Sequence, residues 1–144
     1  MDLITPKIVV LHCSATPDYN PNDDLFDYFG ADEINQWHKE RGFDKIGYHV
    51  VVRRSGAIEY GRVLCPPKVE KGAHCKPCNS YSIGICYVGT KIPTQKQIDS
   101  LRKLYKIIHQ RYGIDKNGWH AHREYVKTEC PGFDISAIKD LISI

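Results

Sequence analysis

The chain has 144 residues, of which 42% are hydrophobic, enough for one domain with a buried core and too few for two ordinary domains. Its formal net charge of +3 is weak, and its 20 lysines and arginines form no long basic run, so nothing indicates a nucleic-acid partner. No segment approaches the roughly 20 apolar residues that cross a bilayer, and the N-terminus lacks the pattern of a secretory signal. We therefore expect one domain, residues 1–144, made in the cytoplasm without a signal peptide and having no membrane partner.

The first half of the chain begins with an apolar, β-branched run at residues 7–13 (KIVVLHC), which predicts a buried strand. Residues 14–30 are rich in Pro, Asn and Asp and predict a long surface loop. Residues 30–43 follow a helical pattern, in which Asp32 is expected to cap the first turn and Gly42 to end the helix.

The pattern of residues 47–62 predicts a β-hairpin that turns at Gly56, and residues 82–89 predict another apolar strand. Residues 94–113 predict the longest helix, because their apolar side chains recur on one face. Residues 134–144 predict a short C-terminal helix. This order of elements indicates an α/β fold with a central mixed β-sheet flanked by helices.

Three side chains suited to metal binding occur at His12, at His120 or His122, and at Cys130. Each alone has a plainer interpretation, such as a hydrogen-bonded histidine at the edge of the sheet or a small buried thiol. Together, two imidazoles and a thiolate form a known catalytic zinc arrangement, in which the fourth position is left for water. Zinc in such a site activates water and polarises a carbonyl, which suits the hydrolysis of an amide or an ester. The spacing does not decide between His120 and His122.

Four ordered segments make the sequence recognisable: VVLHCSATP, INQWHKERGFDKIGYHVVVRRSGAIEYGR, GAHCKPCNSYSIGICYVG and AHREYVKTECPGFD. Each resembles a segment of the N-acetylmuramoyl-L-alanine amidases of the bacteriophage T7 lysozyme type, whose superfamily includes the peptidoglycan recognition proteins. The resemblance spans residues 7–135. It implies zinc-dependent hydrolysis of the amide between N-acetylmuramic acid and L-alanine of peptidoglycan, at a zinc site in a groove on one face of the domain. The alternative is a module that binds peptidoglycan or muropeptides without cleaving them.

The resemblance also implies a biological setting. It suggests a monomeric phage or prophage endolysin that acts on the cell wall after release, or an enzyme that acts on soluble wall fragments in the cytoplasm.

The same resemblance assigns site residues by position. It implies that the zinc ligands are His12, His122 and Cys130, and it prefers His122 to His120. His74 and Asn79 match positions that line the substrate groove, which implies a role in substrate binding.

Tyr48 matches a tyrosine that helps to orient the attacking water or to stabilise the oxyanion. In the T7-type enzymes a lysine stands two residues before the ligating cysteine, whereas this chain has Thr128 at that place and Lys127 one residue earlier. The threonine resembles that of the peptidoglycan recognition amidases. Either Thr128 or Lys127 is therefore expected to stabilise the oxyanion.

The other cysteines leave several interpretations open. Cys75 and Cys78 can contribute to a second zinc site with Cys65 and His74, form a disulfide, or remain plain loop thiols, the interpretation that the sequence favours. Cys13 is expected to point into the core, because it alternates with His12 along the strand.

Overall fold

A computed structural model describes all 144 residues. Eight strands form two sheets, with three α-helices packed around them. The strands are β1 (Leu3–Ile4), β2 (Ile8–Cys13), β3 (Val50–Val52), β4 (Ile58–Tyr60), β5 (Leu64–Cys65), β6 (Lys68–Glu70), β7 (Ser82–Tyr87) and β8 (Trp119–Ala121). The helices are α1 (Ala31–Glu40), α2 (Gln95–Tyr112) and α3 (Ile135–Ile142). None of these helices combines the length and the apolar character that a membrane crossing requires.

The five-stranded central sheet has the order β4-β3-β7-β2-β8. Strands β3, β7, β2 and β8 run parallel to one another, and β4 pairs antiparallel with β3. The predicted α/β fold with a central mixed sheet is therefore confirmed. Because the carboxyl ends of parallel strands meet at one edge of the sheet, the ends of β2 and β8 lie side by side.

The two faces of the sheet bury different side chains. Val9 and Leu11 of β2 belong to the main core, which α2 and α3 complete through Leu101 and Ile138, among others. Ile34 of α1 packs in a separate cluster on the opposite face. Since side chains alternate along a strand, His12 projects toward the α1 face and away from the main core.

Helix α2 follows the sequence prediction closely. Thr94 caps it by accepting a hydrogen bond from the backbone N–H of Gln97, and the Gln97 side chain bonds back to the Thr94 N–H. Gly113 ends it at a positive φ of 71°.

The start of α1 differs from the prediction, because the expected cap at Asp32 is wrong. The helix begins after Gly30, whose N–H donates to the Glu33 carboxylate at 2.7 Å. The N–H of Ala31 donates to Glu59 of β4 at 2.8 Å. A carboxylate from a distant strand thus satisfies a helix N–H that the local sequence was expected to satisfy.

Three small features were not predicted: β1, the three-stranded sheet β1-β6-β5, and β8. Strand β8 has only three residues and lies within a polar stretch, yet it supplies the sheet edge from which His122 emerges.

Candidate metal centre and substrate groove

His12, His122 and Cys130 converge at the carboxyl edge of the central sheet. His12 is near the end of β2, His122 directly follows β8, and Cys130 lies in the loop before α3. Their potential ligand atoms all lie within 4.8 Å of one another. The His120 ring turns away and pairs with Glu124 at 3.0 Å, so the geometry selects His122 of the two histidines.

The three donors fit a zinc ion in chemistry and spacing. Zn–N bonds of about 2.0–2.1 Å and Zn–S bonds of about 2.3 Å in a tetrahedron place ligand atoms about 3.3–3.8 Å apart, so only small adjustments are needed. Burial lowers the pKa of His12 well below its usual value and also lowers the pKa of His122. Both imidazoles are therefore neutral at pH 7, as metal binding requires.

Cys13 does not enter the core as predicted. Its side chain is half-buried and lies against Cys130, because β2 ends at this residue and no further strand covers it. Contact with the Cys130 side chain lowers the pKa of Cys13 to about 7. The backbone N–H of Cys13 also donates to the Cys130 Sγ at 2.9 Å, which favours a thiolate there.

A groove of about 420 Å³ opens beside His122. Tyr48 lies on its wall, with its ring centroid 5.0 Å from that of His12. Burial raises the pKa of Tyr48 above its usual value, so the phenol keeps its proton and can donate it in a hydrogen bond. The other lining side chains include His38, Arg41, Phe43, His74 and Asn79.

Asn79 and His74 both line this groove, but they differ in the polar atoms that they leave free. The Asn79 Oδ1 accepts the backbone N–H groups of His74 and Cys75 at 2.9 and 2.8 Å. Its amide nitrogen has no protein partner. Both ring nitrogens of His74 are engaged, Nδ1 with His12 at 2.9 Å and Nε2 with Ser82 at 3.1 Å.

Thr128 and Lys127 have different surroundings. The Thr128 Oγ1 accepts the backbone N–H of Cys130 at 3.2 Å, and both residues line a second cavity of about 530 Å³. Lys127 is exposed and forms no hydrogen bond or ion pair. Thr128 therefore contacts the backbone of Cys130, whereas Lys127 has no polar partner.

The sequence did not single out His38 as a groove residue. Its Nδ1 accepts the backbone N–H of Gly47 at 2.9 Å, and its ring lies 5.3 Å from that of Tyr48. The sequence does contain an indication of this position. His38 follows Ile34 by one helical turn and therefore places a polar side chain on the buried face of α1.

Cys75 and Cys78 form a disulfide, and both residues are buried. The expectation of plain loop thiols is therefore wrong for this pair. A second zinc site that includes them is also wrong, because their sulfurs are bonded to each other while Cys65 remains free.

Residues 3–133 match the family model described as N-acetylmuramoyl-L-alanine amidase. The chain belongs to this family. The amidase is 34% identical over 139 residues to an endolysin of Enterobacteria phage T3, and the aligned region covers 91% of this chain and 83% of that protein. It is 36% identical over 135 residues to an endolysin of Escherichia phage T7, covering 88% of this chain and 81% of that one.

The fold comparison agrees with the family assignment. The amidase superposes on the endolysin N-acetylmuramoyl-L-alanine amidase LysCS from Clostridium intestinale with a TM-score of 0.77 and 28% identity, covering 98% of this chain and 86% of that one. The resemblance seen in the sequence is thereby confirmed.

Proposed function

We propose that this amidase hydrolyses the amide between the lactyl group of N-acetylmuramic acid and L-alanine in peptidoglycan, using zinc held by His12, His122 and Cys130. The main supporting observation is that these three donors come within 4.8 Å of one another and that His122 lines an open groove. A module that only binds muropeptides has no need of two neutral imidazoles and a cysteine so arranged, so the intact donor set favours hydrolysis.

In this reaction water adds to the lactyl carbonyl, the C–N bond breaks, and the L-alanine amine leaves with a proton. Zinc, when bound, polarises the carbonyl and activates the attacking water. Tyr48 donates its phenol hydrogen toward the reacting oxygen, because its ring lies 5.0 Å from that of His12 and its proton is retained.

Thr128 supplies a second donor for the oxyanion. Its Oγ1 already accepts the Cys130 N–H, so its own hydroxyl proton is free to point toward the substrate. Lys127 is exposed and contributes less, since a cation in water is screened. Asn79 is positioned to bind substrate through its free amide nitrogen.

We also propose the setting in which the enzyme acts. Relatives named endolysins in phages T3 and T7 suggest a lysis enzyme that works on the cell wall as a single amidase domain spanning residues 1–144. We propose that it is a monomer, with peptidoglycan as its partner and neither nucleic acid nor a membrane.

Mass spectrometry of purified peptidoglycan after digestion tests the proposed reaction. We expect release of stem peptides with a free L-alanine amine from unbroken glycan strands, loss of this release with a zinc chelator, and recovery when zinc is restored. His122→Ala should abolish the release, whereas His120→Ala is the matched control and should retain it. Intact peptidoglycan from a protein that binds no zinc would instead identify a binding module.

A further inference from the structure

The His74 ring lies between His12 and Ser82 and forms a hydrogen bond with each. Its Nδ1 is 2.9 Å from the His12 Nε2, and its Nε2 is 3.1 Å from the Ser82 Oγ. The buried Ser82 Oγ lies 2.7 Å from the carbonyl oxygen of Cys78. A continuous chain of hydrogen bonds therefore runs from a backbone carbonyl to a candidate zinc ligand.

The direction of this chain follows from counting donors. The Cys78 carbonyl only accepts, so Ser82 gives it its single hydroxyl proton and must accept from the His74 Nε2–H. A neutral imidazole has one N–H, so the His74 Nδ1 is an acceptor. The bond at 2.9 Å is then donated by the His12 Nε2–H, which leaves the lone pair of His12 on Nδ1.

We propose that His74, oriented by Ser82, is a positioning residue that holds His12 in the tautomer whose Nδ1 faces the zinc ion. This inference rests on the zinc site proposed above. Histidines that bind metals usually donate their other ring N–H to an acceptor, which fixes the ring and makes the ligand more basic. Here the acceptor is a second imidazole. His74 has no free nitrogen with which to bind substrate.

The backbone around His74 is shaped to admit its ring. A Cβ on Gly84, in the middle of the buried strand β7, would lie 2.5 Å from the His74 Cγ. A Cβ on Gly72 would lie 2.7 Å from the His74 Cδ2. Glycine inside a strand is normally unfavourable, and it often marks a place where another group approaches the backbone closely. Both glycines therefore support a dedicated place for this imidazole.

Zinc affinity, measured on the zinc-free protein by competition with a chromophoric chelator, tests the role of His74. We expect His74→Leu to bind zinc about 10- to 100-fold more weakly than the wild type. His74→Asn should recover most of this loss, because its amide oxygen can replace Nδ1 as the acceptor. His109→Leu, on the exposed side of α2, is the control and should bind zinc as the wild type does.

Thermal unfolding of the zinc-free variants shows whether they fold. Zinc binding by a folded His74→Leu within twofold of the wild type would overturn the proposal.

The tautomer of His12 is a second readout that needs no variant. Long-range ¹H–¹⁵N spectra of the histidine side chains should show the zinc-free wild type with the His12 proton on Nε2. A proton on Nδ1 would overturn the inference even if His74→Leu does not fold. If the wild type binds no zinc at all, the proposed zinc chemistry is wrong. The spectrum of the zinc-free protein still tests, independently of zinc, whether His12 donates its Nε2–H to His74.

Discussion

The backbone N–H of Cys13 donates a hydrogen bond to the Sγ of Cys130 at 2.9 Å, although the two residues are 117 positions apart. The bond ties the end of β2 to the loop before α3. It also directs a donor at the sulfur that is the proposed zinc ligand, where it stabilises the thiolate.

Separate substitutions of Cys130 and Cys13 should distinguish the zinc ligand from the residue whose backbone N–H supports it. Cys130→Ala removes a zinc ligand and should lower kcat by at least about 100-fold, because the metal contributes several kcal/mol to the transition state. Cys13→Ala keeps the backbone N–H and should retain bound zinc and most activity. Elemental analysis and the peptidoglycan assay check both variants. Loss of zinc from a folded Cys13→Ala would contradict the assignment of Cys130 as the single sulfur ligand.

Thr128 and Lys127 should differ in their effect on catalysis. Thr128→Ala is expected to lower kcat by about 100-fold, as for the loss of one oxyanion donor, while Thr128→Ser keeps the hydroxyl and should stay within about tenfold. Lys127→Ala should change kcat by less than about threefold, because its charge is exposed and screened. Steady-state kinetics with zinc-loaded proteins would contradict this ranking if Lys127→Ala were the more damaging change.

The buried histidines should make the zinc-free protein sensitive to acid. Burial lowers the pKa of His38 and of His49 to about 4. The unfolded chain therefore binds more protons than the folded one between about pH 6.5 and pH 4, so the free energy of unfolding falls as the pH falls through this window. Each group contributes up to about 1.4 kcal/mol per pH unit.

His49→Asn tests this pH dependence, because its amide oxygen can still accept the Gly84 N–H that bonds to the His49 Nδ1 at 3.0 Å. Urea unfolding at several pH values should show a shallower slope for this variant than for the wild type. His109→Asn is the exposed control and should leave the slope unchanged. An unaltered slope in His49→Asn would mean that this histidine does not titrate during unfolding.

Reduction of the Cys75–Cys78 disulfide should lower stability modestly. The bridge closes a very short loop, for which chain entropy predicts about 2 kcal/mol. Thermal unfolding with and without a reductant should show a lower Tm in the reduced wild type and the same decrease in Cys65→Ser, which retains the bridge. The absence of any decrease in Tm in the fully reduced protein would show that packing of the two buried sulfurs maintains the stability without the bridge.

Local sequence patterns were sufficient where neighbours in the chain determine the structure. Helix α2 has its cap at Thr94, its apolar stripe and its terminal Gly113 all encoded within residues 94–113, and the structure reproduces them. The apolar run of residues 7–13 likewise placed His12 near the end of strand β2. The family motifs named His12, His122 and Cys130 as ligands, and these are the three donors that the fold brings together.

Other features were decided only by contacts between distant segments. The first turn of α1 depends in part on Glu59, and the position of the Cys13 side chain depends on its contact with Cys130. The sequence placed His74 at the groove, but its hydrogen bonds to His12 and Ser82 require three segments to meet. Periodicity and capping describe interactions along the chain, whereas a hydrogen bond between residues far apart in sequence exists only after the sheet has assembled.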